Sequence, residues 1–273
     1  MNVCILGIPH DANSSHMRGA AEAPPLIRKE LFSDAYSPWT ESGIQLTRDR
    51  LIERGDIAFG EGDDWDTIEA HVSAAIDDGS PLISLGGDHA IAHPILRAMH
   101  RRYPNITIVH VDAHADIYDA YQGNRRSHAS PFARIMEEEL ASRLIQIGLR
   151  TINDHHRDQF ARFGVEAIEA RHWHDGYPLE LSGPVYISVD MDGLDPAFAP
   201  GVSHREPGGL STRTVINLIQ SIDQPIVGAD VVEYNPLCDL GNLTATVAAK
   251  LVKELAGMMI VNAEATSLTF RLP

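Results

Sequence analysis

Ile106-Thr107-Ile108-Val109-His110-Val111 runs directly into Asp112-Ala113-His114-Ala115-Asp116. The run up to Val111 is rich in β-branched residues and lacks the apolar–polar alternation of a strand with one wet face. Such a segment suits a strand buried on both sides, as in a parallel sheet covered by helices. The same pattern recurs at 3–8, 81–85, 144–147, 165–168, 185–189 and 226–232, with a weaker instance at 267–271. Between these runs, apolar residues at three- and four-residue spacing predict helices over 65–78, 90–102, 131–142, 153–162, 211–222 and 242–259. Pro131 suits a first helical turn, and Ser211 suits a cap. Strand–helix alternation along the whole length predicts one α/β domain over 1–273 with helices on both faces of the sheet. The stretch 33–64 reads as loops with one short strand at 56–59.

Composition narrows the function. Of 273 residues, 38 are Asp or Glu and 22 are Lys or Arg, so the formal charge is 22 − 38 = −16. A chain this acidic is repelled by phosphate backbones and anionic lipid, which argues against nucleic-acid and membrane-surface partners. No apolar stretch reaches the ~18 residues of a membrane span. The two cysteines, Cys4 and Cys238, form no CxxC and suggest neither a disulfide framework nor a zinc ribbon. With no basic n-region ahead of the first strand, a cytoplasmic location is the expectation. The chain has no G-x-G-x-x-G, Walker A loop, H-E-x-x-H or G-x-S-x-G, which removes the main support for a Rossmann dehydrogenase, a P-loop NTPase, a zincin or an α/β-hydrolase.

The chemistry is expected at strand ends, where open α/β sheets bind ligands. In extended backbone, residues i, i+2 and i+4 face one way, so Asp112, His114 and Asp116 converge while the alanines point elsewhere. The run 185–189 ends in Asp190-Met191-Asp192, and 81–85 ends in Gly86-Gly87-Asp88-His89. One such Asp is usually a turn or cap residue. Several in one crevice are costly unless cations neutralise them. Four carboxylates, from Asp112, Asp116, Asp190 and Asp192, balance two divalent ions, and His89 and His114 add neutral ligands. A carboxylate-rich, thiolate-free set fits a hard or borderline ion such as Mn²⁺. A pair of such ions ~3.5–4 Å apart can lower the pKa of a shared water toward neutrality.

These blocks, with Ser188-Val189-Asp190-Met191-Asp192-Gly193-Leu194-Asp195-Pro196, Ala199-Pro200-Gly201 and Pro207-Gly208-Gly209-Leu210, resemble the signature blocks of the ureohydrolases, the family of arginases and agmatinases. The stretches 127–137 and 199–204 are most similar to plant-type arginases. The resemblance implies a three-layer α/β/α fold with a mainly parallel eight-stranded sheet. It implies two Mn²⁺ per subunit on His89, Asp112, His114, Asp116, Asp190 and Asp192, and assembly as a homotrimer or homohexamer. The implied reaction on a small cationic guanidino substrate is hydrolysis of a C–N bond, giving urea and an amine. Asp116 is implied to hold the nucleophile, Glu233 to bind the guanidinium and His128 to shuttle protons. Asp88 and Asp195 are read as supporting or turn residues.

The substrate's far end is less sharply specified. Where other arginases of the family carry tail-binding residues, this chain has Tyr118 and Asn153. Asn124, Arg125 and Arg126 precede Ser127-His128, and the arginines suit a clamp on a substrate carboxylate. Arginine is thus the expected substrate. Agmatine or another guanidino acid is the alternative, and a metal-binding homologue without turnover the remote one.

Overall fold

A computed structural model of the chain describes the backbone of residues 1–269 and side chains through residue 264. Eight strands form one sheet: β1 (Val3–Gly7), β2 (Leu51–Asp56), β3 (Leu82–Leu85), β4 (Thr107–Val111), β5 (Arg143–Leu149), β6 (Glu166–Glu169), β7 (Val185–Asp190) and β8 (Ile226–Val232). Their order is β2-β1-β3-β8-β7-β4-β5-β6, and every pair is parallel. The helices are α1 (Ala23–Leu31), α2 (Asp64–Ala75), α3 (Ala92–His100), α4 (Pro131–Glu137), α5 (Asp154–Phe163), α6 (Thr212–Ser221) and α7 (Leu243–Thr269).

Two separate apolar cores make the fold three-layered. Alternate strand residues such as Val3, Ile5, Val109 and Val111 pack with α1, α6 and α7 on one face. Their neighbours Cys4, Leu6 and Ile108 pack with α2, α3 and α4 on the other. Both faces are therefore dry, which is why the strands read as continuous apolar runs.

Several boundaries differ from the sequence reading. The sheet is wholly parallel. The strand expected at 56–59 lies earlier, at β2, where Leu-Ile-Glu-Arg-Gly-Asp carries only one fully buried residue. As an edge strand it pairs with β1 alone and needs no apolar pattern. The weak strand expected at 267–271 is incorrect as far as it is described: residues 267–269 continue α7, and 270–271 lie outside the described residues. Helix α1 escaped the sequence reading. It carries Pro24 and Pro25 in its first turn, where a missing N–H costs nothing.

Sheet order places the site. The chain builds outward from β1, crosses to β4, builds outward to β6, then returns with β7 and β8 to fill the centre. The carboxyl ends of β3, β8, β7 and β4 thereby become neighbours. Register makes them level, because Leu85 pairs with Val231, Val231 with Val189, and Val189 with Val111. Among the described residues no helix is long and apolar enough to cross a membrane.

Candidate metal centre

Within four residues of that row, each strand reaches an acid or imidazole side chain. Asp112 leaves β4, Asp190 ends β7, His89 follows β3 and Glu233 follows β8. Gly193 lets the β7 loop close on β4, since a Cβ there would sit 2.9 Å from the Asp112 nitrogen. The Arg150 guanidinium then ties the carbonyls of Asp192, Gly193, Leu194 and Glu206 together. Sequence reasoning missed this tie, because an arginine serving carbonyls leaves no spacing signal.

All six sequence-predicted ligands converge. Side-chain donors of His89, Asp112, Asp116 and Asp190 lie within 4.8 Å of one another, as do those of Asp112, His114 and Asp192. The two sets share Asp112. His89 Nδ1 faces Asp116 at 3.0 Å, Asp190 at 3.2 Å and Asp112 at 3.4 Å, yet it is buried without a hydrogen bond. Its other nitrogen meets Ser188 Oγ at 2.8 Å, and Ser188 donates to the buried Asp230 at 2.7 Å. Since the Ser188 proton is committed to Asp230, His89 Nε2–H is the donor to Ser188, which leaves Nδ1 as the nitrogen available to a ligand. Once deprotonated, Nδ1 joins the three carboxylates in a donor set that fits a cation.

His114 Nδ1 lies 3.1 Å from Asp192 and 3.5 Å from Asp112. His110 is also near Asp112, but Asp112 and Gln146 occupy its nitrogens at 2.8 and 3.0 Å, so it supports the centre from beneath. Electrostatics without cations shows the strain. Burial, then the charges of Asp192 and Asp112, drive the Asp190 carboxyl well above its ordinary value. Burial pushes Asp192 up to about 7. Against the effect of burial, neighbouring carboxylates hold His89 and His114 well above the usual histidine range. Cations held among these side chains would relieve that strain.

Above the carboxylates opens a cavity of about 170 Å³ whose wall includes Asp116, Asp190, Asp192, His128 and Glu233. His128 Nδ1 meets Glu233 Oε1 at 2.9 Å, and its Nε2 meets Ser15 Oγ at 2.8 Å. The same Glu233 oxygen accepts the His89 backbone N–H at 2.9 Å. Burial alone would raise the Glu233 carboxyl, but His128 and that N–H bring it below its usual value. Burial lowers His128, and the Glu233 charge outweighs it, moving the ring up to about 9. Asp116 and Glu233 both adopt positive φ, +46° and +61°. This costly backbone is held in place by the Phe132 N–H donating to Asp116 O and the Glu233 N–H donating to Gly87 O. Gly87 itself must lack a side chain, because a Cβ would collide with the His10 carbonyl at 1.8 Å.

Other expected residues lie elsewhere. Arg125 pairs with Asp119 at 3.0 Å and Glu137 at 2.8 Å, away from the cavity wall. Arg126 pairs with Asp63 and stacks over Trp65. Asn124 bonds to Asn13 at 3.1 Å. Asn153 caps α5 in a reciprocal box with His156 and donates to Tyr118 OH at 2.6 Å. None of the four lines the cavity. Asp88 accepts N–H groups of Asn13 and Ala90, and Asp195 those of Ala197, Gly208 and Gly209, as turn residues do. The wall instead contains Ser15, Tyr121, Thr151, His156 and His204, which no sequence pattern singled out, alongside Tyr118. Only His204 sat within a quoted family block.

Residues 1–257 match the model of the arginase family. The chain belongs to the arginase family. It is a ureohydrolase, and its relatives agree with the geometry. It is 45% identical to Arginase 1, mitochondrial, of Arabidopsis thaliana over 92% of this chain and 79% of that protein. It is 30% identical to the agmatinase of Bacillus anthracis over 93% and 90%. The solved arginase from Medicago truncatula superposes with a TM-score of 0.89 at 41% identity, covering 94% of this chain and 87% of that one. The cytoplasmic expectation is corrected here: plant relatives in this arginase family, the Arabidopsis protein among them, carry mitochondrial or chloroplastic names. Absence of a basic, apolar leader pattern ahead of the first strand was too weak a basis for that expectation, since organellar addresses differ in composition from secretory ones.

Proposed function

We propose that this family member is an arginase, hydrolysing the guanidino C–N bond of arginine to ornithine and urea at two Mn²⁺ ions. The observation that carries the reading is the pair of donor sets sharing Asp112 beneath a cavity that also presents Glu233 and His128. His89, Asp112, Asp116 and Asp190 would hold one ion, and Asp112, His114 and Asp192 the other. When bound, the ions neutralise the carboxylates and activate water for attack.

The remaining work belongs to the side chains. Glu233 offers its second carboxylate oxygen to the planar guanidinium, because Oε1 is engaged by His128 and the His89 N–H. A charge-assisted pair there orients the guanidinium carbon over Asp116 and Asp190. Asp116 accepts a hydrogen bond from the attacking water. Water adds to the guanidinium carbon, the C–N bond to the substrate chain breaks, and the departing nitrogen takes two protons to leave as an ammonium, one passed from the water by Asp116 and one given by His128. His128 then regains the water's second proton, a role that suits an imidazole held between Ser15 and Glu233.

A second substrate is favoured by one observation. The cavity wall includes neither lysine nor arginine to clamp an α-carboxylate, and agmatine suits it too. The tail contacts fall to Tyr118, Tyr121 and His156 rather than to Asn124, Arg125 and Asn153. We further read residues 1–273 as one domain that assembles as a homotrimer or homohexamer. The test is urea release from L-arginine, agmatine, guanidinobutyrate and guanidinopropionate, assayed side by side with Mn²⁺. The expected order puts arginine first. A preference for agmatine selects the second reading, and no urea from any of them, with two ions bound, overturns both.

A further inference from the structure

A second cleft lies far from the carboxylate cluster, between the segment 31–51 and α7, with a volume of about 280 Å³. Lys253 of α7 lines it and is only 6% exposed. Its ammonium donates to the Ser37 carbonyl at 3.1 Å and sits 4.1 Å from the Tyr36 ring centre. Among the described residues, no carboxylate oxygen lies within the 4.0 Å of an ion pair with Lys253. The acids nearby are already engaged. Glu41 pairs with Arg213 and Lys250, and the fully buried Glu254 takes Lys250 at 2.5 Å, Gln220 and the Glu41 N–H. A buried ammonium with three donors and one accepting partner is costly.

Two further donors share the cleft. The Tyr36 hydroxyl is buried with no hydrogen-bond partner, and the Arg48 guanidinium lies over the Phe32 ring without an ion pair among the described residues. The walls between these donors are apolar, built by Leu31, Phe32, Leu46 and Leu51. At the rim stands one acid, Asp34. A buried ammonium, an unpartnered hydroxyl and a guanidinium lining one cleft with apolar walls are what an amphipathic anion needs. The lone rim carboxylate disfavours a second negative charge on the ligand.

We infer that this cleft is a binding site for a small apolar monocarboxylate, with the carboxylate on Lys253, Tyr36 and Arg48 and the hydrocarbon on Phe32 and its leucine neighbours. Occupancy would fasten the segment 31–51 to α7 and stabilise the folded chain. It is independent of the catalytic reading, because no residue of the cleft belongs to the cavity above Asp112.

The test uses the metal-loaded full chain. Binding of 3-methylbutanoate is measured by calorimetry and by thermal shift, beside its neutral amide, glutarate and inorganic phosphate. Saturable binding and a raised melting temperature are expected for 3-methylbutanoate, with at least about tenfold weaker binding of the other three. Lys253→Met, which keeps the buried volume apolar, and Arg48→Gln, at an exposed position that does not threaten folding, are each expected to weaken binding by about tenfold or more while metal content and urea release stay unchanged. An unaltered affinity in both variants would place the carboxylate elsewhere, for instance on the metal ions, and overturn the inference. So would equal binding of the amide, glutarate or phosphate, or no saturable binding at all.

Discussion

Asp190 concentrates the electrostatic problem of this molecule in one side chain. It is 2% exposed, it faces His89 at 3.2 Å, and burial and neighbouring acids raise its carboxyl. Asp190→Ala is expected to weaken metal binding by roughly 100-fold or more and to remove activity with it. Metal analysis after dialysis decides the point, and two tightly bound ions in the variant would end its assignment as a ligand. Arg125 poses the opposite case. Read in sequence it suits a carboxylate clamp, but in three dimensions Asp119 and Glu137 hold it outside the cavity. Arg125→Ala is therefore expected to change kcat/KM for arginine and agmatine alike, by less than about threefold, with stability moving by about 1 kcal/mol or less. A selective loss of arginine use would restore the clamp. The convergence of Asp112, Asp116, Asp190 and Asp192 was legible because i, i+2 spacing after a strand leaves few outcomes. Ser15, Thr151 and His156 were not, since each reaches the cavity from a loop or helix whose path the sequence does not specify.

Among the elements, α3 shows how packing can set a titration. Its His93 is 5% exposed, takes the Trp65 indole N–H from α2 on Nδ1 at 3.1 Å, and meets Glu138 beyond α4 through Nε2 at 3.0 Å. With Nδ1 already accepting, the folded protein requires the neutral ring, and burial lowers His93 from 6.5 to about 4. A histidine depressed on folding contributes stability that is complete above the unfolded value of 6.5 and lost as pH falls toward 4. Between pH 7 and pH 5 the loss is about 2 kcal/mol. His93→Gln, neutral throughout, is expected to lose about that much less over the same interval in urea denaturation. Equal pH dependence in both proteins would contradict the neutral ring. Periodicity located α3 and most strands, because each buries a face along its length. It failed at β2, where an edge strand carries Glu53 and Arg54 outward, and at α1, whose paired prolines hide a helical start.

For the whole molecule, the −16 charge acquires a local meaning. Four of the 38 acids are the proposed ligands, so two divalent ions would leave −16 + 4 = −12. Each ion that binds only the folded chain stabilises it by about 2.7 kcal/mol at a hundredfold excess over Kd, so two contribute about 5 kcal/mol. Chelation is accordingly expected to lower the melting temperature by roughly 10–20 °C. Scanning calorimetry with and without chelator checks this, and an unchanged midpoint would mean that the cluster does not depend on cations. By itself the sequence determined the α/β class, the strand ends that carry acid and imidazole, and the family, because burial periodicity and local spacing are properties of neighbours in the chain. Only the tertiary structure decided that β3, β8, β7 and β4 stand side by side, that Asp112 serves both donor sets, and that Arg125 and Asn153 stay out of the cavity. Those depend on strand order and on competition between distant partners, which no local pattern records.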